Sequence, residues 1–203
     1  MSQRLTSLAR GLTTGQLFPP KQPTKRLVDP WLVVIDPQVV FADPESRWVV
    51  PGFDVTMKAI SALSSRFGER VIVTRWLPGR KVGSWKAYFK RWEFADRPPT
   101  DPMFDLVPEA EQLSNLASVD VPTFSKWGPT LRSLIGPTPH LVLTGFSTDC
   151  CVLSTALAAA DAGAAVKVMA DACMSSTLQG HEAALNLMDQ FSPQIKVITS
   201  EQL

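Results

Sequence analysis

Five short aliphatic, β-branched runs, each stopped by a turn or a polar residue, constrain this chain more than any other feature. They are Trp31–Asp36, Arg70–Arg75, Leu141–Gly145, Ala165–Ala170 and Ile195–Thr199. Runs of five or six such residues predict strands buried on both faces. A sixth, weaker strand is expected within Ser118–Phe124, ahead of Lys126. Helix-period stretches lie between them. Val55–Phe67 carries Ile60, Leu63 and Phe67 on one face and meets Gly68. Cys150–Ala162 is alanine-rich and meets Gly163. Leu178–Phe191 has Leu178, Ala184, Leu185 and Met188 as its expected core stripe. Buried strands alternating with helices predict an α/β fold: a three-layer, doubly wound, mostly parallel six-stranded sheet, Rossmann-like, with helices on both faces.

At 203 residues the chain is long enough for one core. The first 28 residues hold five basic side chains, no acid, and a proline-rich end at Phe18–Pro23. They read as an N-terminal arm (1–28) ahead of a single domain (29–203), because Leu5–Leu12 is too broken for a secretory apolar core. A net charge of +1 argues against nucleic acid as the main partner. No apolar run approaches 18 residues, which argues against a membrane span. Three cysteines, Cys150, Cys151 and Cys173, make a poor disulfide framework and read as a reduced, cytoplasmic protein.

In an open parallel sheet, ligands bind at the carboxyl ends of the strands. Asp36 closes the first strand, Lys126 follows the weak one, and Cys150 and Cys151 follow Leu141–Gly145. Thr148 or Asp149 is the expected N-cap of the helix after that strand. The cysteines then fall in the first turn, where free amides and the positive end of the helix dipole favour a thiolate. Pattern alone does not choose between Cys150 and Cys151, and Cys173 reads as buried and inert. Aspartate would take the thiol proton, and lysine would keep both partners charged. The segment Trp76–Pro108, rich in proline, tryptophan and basic residues, is expected to form a wall or a lid over the same rim. Within it Trp85, Phe89 and Trp92 recur at helical spacing, as in a short helix packing its aromatics on the sheet.

At these residues the chain resembles the isochorismatase-like cysteine hydrolases. Ile35, Asp36, Gln38 and Phe41 match the family's first motif, and Lys126 its lysine. Gly145, Thr148, Asp149, Cys151 and Val152 match its cysteine signature, followed by Thr155, Ala156, Gly163, Asp171 and Ala172. The resemblance implies Cys151 as nucleophile, with Asp36 and Lys126 completing the catalytic set. It also implies a cis peptide at Phe146–Ser147, with the Ser147 and Cys151 amides as oxyanion donors. The implied reaction is hydrolysis of a small amide, ureido or carbamoyl compound through a thioester, by a homo-oligomeric enzyme.

Nicotinamidases of that family hold a divalent metal through an Asp-x-His element after the second strand. Here the matching place reads Thr74-Arg-Trp-Leu-Pro78, and the two histidines, His140 and His181, read as structural. No metal and no cofactor are therefore expected. For the substrate, Phe41, Arg75, Trp76 and Trp127 are the candidate contacts. Arg75 would grip a carboxylate, its competing role being a surface salt bridge. The alternatives are a vinyl-ether hydrolase of the isochorismatase type and a catalytically silent binding module on the same fold.

Overall fold

The computed structural model describes residues 29–79, 81–137 and 139–203, so the arm at 1–28 lies outside it. Six strands form one sheet: β1 (Trp31–Ile35), β2 (Val71–Trp76), β3 (Val119–Val121), β4 (His140–Phe146), β5 (Ala165–Met174) and β6 (Ile195–Ile198). Their order is β3-β2-β1-β4-β5-β6, and every pairing is parallel. The order reverses between β1 and β4, which marks the switch point where a crevice opens at the carboxyl ends.

The helices are α1 (Val39–Ala42), α2 (Phe53–Ser64), α3 (Trp85–Arg91), α4 (Pro108–Glu111), α5 (Pro129–Ile135), α6 (Leu153–Asp161) and α7 (Leu178–Asp189). Strand periodicity divides the core between two faces. In β1, Leu32 and Val34 pack with Phe53, Met57, Ile60 and Leu63 of α2. Val33 and Ile35 face the other way, toward Leu131 of α5, Ala156 and Ala159 of α6, and Ala184 and Met188 of α7. Both faces are covered, so the strands need no polar alternation. Among the described residues, no helix is long and apolar enough to cross a membrane.

Four expectations need correction. Strand β5 runs to Met174 rather than stopping at Ala170, because the carboxylate of Asp171 is turned outward, where it accepts the Ser200 amide at 3.0 Å. The N-cap before α6 is Ser147, not Thr148 or Asp149, and a π-helical turn, Thr148–Val152, precedes the regular helix. The α7 stripe omits Leu178, which is 61% exposed. It lies in the first turn beside the Thr177 cap, and His181 takes the inward place, its Nδ1 2.9 Å from Thr148 Oγ1. Finally, α2 starts at Phe53, after Gly52 at a left-handed φ of 77°.

Candidate active site

The floor of the crevice is built where β1 ends. Asp36 adopts a left-handed φ of 49°, outside the strand's range, and turns its carboxylate under the rim. Thr74 of β2 meets it twice: its hydroxyl donates to Asp36 Oδ1 at 2.7 Å and receives the Asp36 amide at 3.2 Å. Lys126 Nζ stands 2.8 Å from Asp36 Oδ2, and both side chains are fully buried. The contact is an ion pair rather than a well-aimed hydrogen bond, since the ammonium directs a bond to the Thr123 carbonyl at 3.1 Å. A dry ion pair with a second partner at each end is a costly feature to bury, and it costs more still to break.

Across the switch point, Gly145 lets β4 pass close to β1. Its φ is 110°, and any Cβ there would collide with the Ile35 carbonyl. The Phe146–Ser147 peptide that follows is cis. Cys150 and Cys151 then fall in the π-helical turn. Thr155, one turn on, ties this segment to the lysine: its Oγ1 accepts the Lys126 amide at 2.9 Å and donates to the Cys151 carbonyl at 2.6 Å. Asp149 is held by Ser147 Oγ at 2.5 Å and Ser175 Oγ at 2.9 Å.

The two thiols are linked. The neighbouring Cys150 thiol, ahead of burial, holds the Cys151 thiol well above the ordinary cysteine range, while the Lys126 charge pulls it back down. Cys151 in turn draws Cys150 below its usual value, with burial opposing. Cys173 is buried and pushed up by desolvation, away from this chemistry.

A cavity of about 280 Å³ opens over the cysteines. Phe41 and Trp76, both expected there, line it together with Cys150, Cys151 and Ser147. Trp48, Tyr88, Trp92 and Phe124 complete an aromatic wall; Tyr88 and Trp92 belong to the segment expected at this rim, whereas sequence reasoning does not assign Trp48 or Phe124. Trp48 is its hub, with ring centroids 5.4 Å from Trp76, 5.8 Å from Trp92 and 5.0 Å from Phe94. The only sequence signal for Trp48 is its place in the loop that follows Phe41. The helix expected around Trp85 forms as α3, and its Phe89 packs with Trp76 and Phe104. The segment after β2 is thus a packed wall.

Two expected contacts are not on that cavity. Arg75 points to the outer surface, where it forks onto Asp120 at 2.9 and 2.6 Å and reaches Asp105 at 3.9 Å. Side chains alternate along β2, so Arg75 and Trp76 face opposite ways. Trp127 packs against the core around α6, with the Arg132 guanidinium 6.0 Å from its ring. Among the described residues, the cation at the cavity is Arg47, which lies 5.2 Å from the Trp92 ring centroid. Among the described residues, no three His, Cys, Asp or Glu side chains gather as a metal site. At the end of β2 the available donors are the Thr74 hydroxyl, already committed to Asp36, and the Trp76 indole, which has no lone pair to offer. Those groups do not fit a divalent cation.

The comparisons with known proteins agree with this geometry. Solved structures share the fold: a cysteine hydrolase from Pseudomonas syringae pv. phaseolicola 1448A superposes with a TM-score of 0.71 at 19% identity, over 88% of this chain and 95% of that one. An isochorismatase-like hydrolase from Alkaliphilus metalliredigens gives 0.68 at 21% identity, over 86% and 96%. The pyrazinamidase of Pyrococcus horikoshii in complex with zinc gives 0.66 at 22%, over 84% and 99%. A search of the curated proteins finds no match. The isochorismatase domain model matches residues 30–202, nearly the whole described chain. On that match, with the fold around it, this chain belongs to the isochorismatase family and is a hydrolase.

Proposed function

We propose that the protein is a cysteine amidohydrolase that cleaves the C–N bond of a small amide, ureido or carbamoyl compound. The observation that carries this reading is the sealed Asp36–Lys126 pair at the switch point, with Cys151, whose thiol lies within the field of both charges, lining the cavity.

Asp36 takes the Cys151 proton as sulfur attacks the carbonyl carbon. The Ser147 and Cys151 amides receive the oxyanion. When the tetrahedral species collapses, the C–N bond breaks and Asp36 passes its proton to the departing nitrogen. A thioester on Cys151 and free ammonia or amine result. Asp36 then deprotonates a water, which attacks the thioester, and the thiol leaves with that proton. The products are the carboxylic acid and the regenerated enzyme. Lys126, 2.8 Å from Asp36 Oδ2, is the partner that balances the carboxylate. Because the Cys151 thiol is held well above the ordinary cysteine range, Asp36 acts at the first step and not only at deacylation. The 280 Å³ cavity suits a single-ring or short-chain substrate, since 150 Å³ already holds a benzene.

The test is an ammonia-release screen over small amides, ureas and carbamoyl acids, with Cys151→Ala as control. Release by the native enzyme and none by the variant is the expected result. Equal release by both, or release only from Cys150-dependent protein, overturns it.

A further inference from the structure

Helix α7 carries a buried titratable side chain that the proposed chemistry does not use. His181 sits one turn into the helix and is 8% exposed. Ala184 and Met188 share its buried face, so an apolar side chain would pack there without a polar group to desolvate. What the imidazole adds is one bond. Its Nδ1 stands 2.9 Å from Thr148 Oγ1, and Thr148 is fully buried. Among the described residues, that hydroxyl has no other hydrogen-bond partner. The hydroxyl is therefore assigned as the donor and Nδ1 as the acceptor, which leaves the ring proton on Nε2. Burial pulls the imidazole below its usual value, against the charges of Glu182 and Asp149. The ring is thus neutral near neutral pH, as this bond requires.

The partner gives this bond its reach. Thr148 opens the π-helical turn that carries Cys151, and that turn has no side-chain cap of its own. Such turns are rare and cluster at functional sites. Here the Ser147 carbonyl accepts the Cys150 and Val152 amides, both at 3.1 Å, and passes over the Cys151 amide between them. That is the amide to which the proposed mechanism gives the oxyanion. A turn this open needs support from outside, and the junction of β5 with α7 supplies it at two points. Ser175 Oγ accepts the Asp149 amide at 3.1 Å and donates to the Asp149 carboxylate at 2.9 Å. His181 holds the residue before, and its own amide is fixed on the Thr177 carbonyl at 3.1 Å. The opposite wall of the cleft is held in a comparable way by Gln38, which is fully buried. Its Nε2 donates to the Trp76 carbonyl at 3.0 Å and to the Phe104 carbonyl at 2.7 Å, and its Oε1 accepts the Trp76 amide at 2.8 Å.

We infer that His181 is a positioning residue: through Thr148 it fixes the turn that aims Cys151 at Asp36 and sets the oxyanion amides. His181 does not line the cavity, so it acts only through that threonine. The inference rests on the amidohydrolase reading for the reaction it serves, not for the geometry it fixes. A role in packing alone and a role in positioning predict opposite rankings of two variants. Leucine fills the space of the imidazole and cannot accept a bond. Asparagine leaves a gap but can place an amide oxygen where Nδ1 stood.

The experiment needs no substrate. The folded full-length protein is treated with iodoacetamide at neutral pH, and peptide mass spectrometry follows each cysteine separately. His181→Leu should slow alkylation of Cys151 about 10-fold, because a displaced sulfur loses its base and the field of Lys126. Thr148→Val, which replaces only the hydroxyl by a methyl group, should slow it to the same extent. His181→Asn should stay within about threefold of the native rate. On any amide that the ammonia screen yields, kcat should fall in the same order, with KM within about twofold. Cys151 labelling at the native rate or faster in His181→Leu overturns the inference, as does an asparagine variant slower than the leucine one. So does faster labelling of all three cysteines, Cys173 included, which reports a loosened fold rather than a misplaced sulfur. Should His181→Leu fail to fold, Thr148→Val decides alone, and native-rate labelling in it overturns the inference. Slowed labelling without ammonia release from any amide leaves the positioning role standing and removes the amidase reading. Release with labelling unchanged in every variant does the reverse.

Discussion

Two hollows open at opposite ends of the same sheet, and the larger one is not where the chemistry collects. At the amino ends, a cavity of about 670 Å³ is lined by Arg66, Arg70, His140, Lys167 and Lys196. Its two arginines bind the chain's own segments. Arg70 Nε donates to the Pro30 carbonyl at 3.3 Å, and Arg66 donates to the Ser200 carbonyl at 3.0 Å. At the carboxyl ends, less than half that volume contains both cysteines, an aromatic wall and, beneath it, a sealed ion pair. The difference follows from topology. Parallel strands all deliver their following loops to one end, so reactive side chains from β1 and β4 converge there and cannot converge at the other. Charge at the amino ends fastens; charge at the carboxyl ends is desolvated and poised.

If that contrast holds, Cys151→Ala should remove all measurable turnover, with the thermal midpoint little changed. Cys150→Ala should retain activity and shift the rising limb of the pH–rate profile to lower pH, because it removes the neighbouring thiol that holds Cys151 above its usual range. Retained activity in the first variant breaks the comparison outright. Next in size is Lys126→Met. Stranding Asp36 uncompensated in the interior should cost about 3–5 kcal/mol in a urea titration, and turnover should fall with it. Gly180→Ala comes third. An added Cβ would collide with the Asp149 carboxylate, which anchors Ser147. We expect kcat/KM to drop about 10- to 100-fold with modest loss of stability, as for a small displacement near reacting atoms.

Sequence pattern found the sheet because doubly buried strands leave an unmistakable run of apolar residues, and it set Asp36, Lys126 and the Cys150–Cys151 pair at the strand ends that mark the crevice, without choosing between the two sulfurs. It pointed to the segment after β2 as a border of the rim but did not name the rings of the wall. Trp48 and Phe124 come from loops and Tyr88 from α3, and nothing local distinguishes an aromatic facing a cavity from one facing the core. Arg75 misled for a related reason: it ends a strand, as a site residue should, but one step of alternation sends it to the outside. Leu178 misled because an apolar residue in a first helical turn has periodicity without depth. The role of Gln38 was invisible, since its partners Trp76 and Phe104 lie 38 and 66 residues away.

Smaller effects sharpen the picture at the edges. Burial pushes Asp120 up, but the hydrogen bonds from Arg75 and Ser118 and the charge of Arg75 outweigh it, so its carboxyl lies below the usual range. A lowered folded value means the pair stabilises fully above the unfolded pKa, about 3.9, and loses that contribution as pH falls through the folded value. Arg75→Ala should therefore cost about 0.2–1 kcal/mol near neutrality and almost nothing at strongly acidic pH, read by denaturation at both. Its kcat/KM should stay within about twofold of the native enzyme, and a large rise in KM would return Arg75 to the substrate. The smallest change is expected at the amino ends, where Lys196→Ala should leave turnover unaltered. A loss there would show that the two hollows communicate.

Gln38 grips residues 76 and 104 only through main-chain atoms. Of the two, only Trp76 lines the cavity, and a change of its ring to another of similar bulk leaves those main-chain bonds intact. Substrate range in this enzyme can thus be re-cut at position 76, while the carboxylate two residues before the glutamine keeps its post.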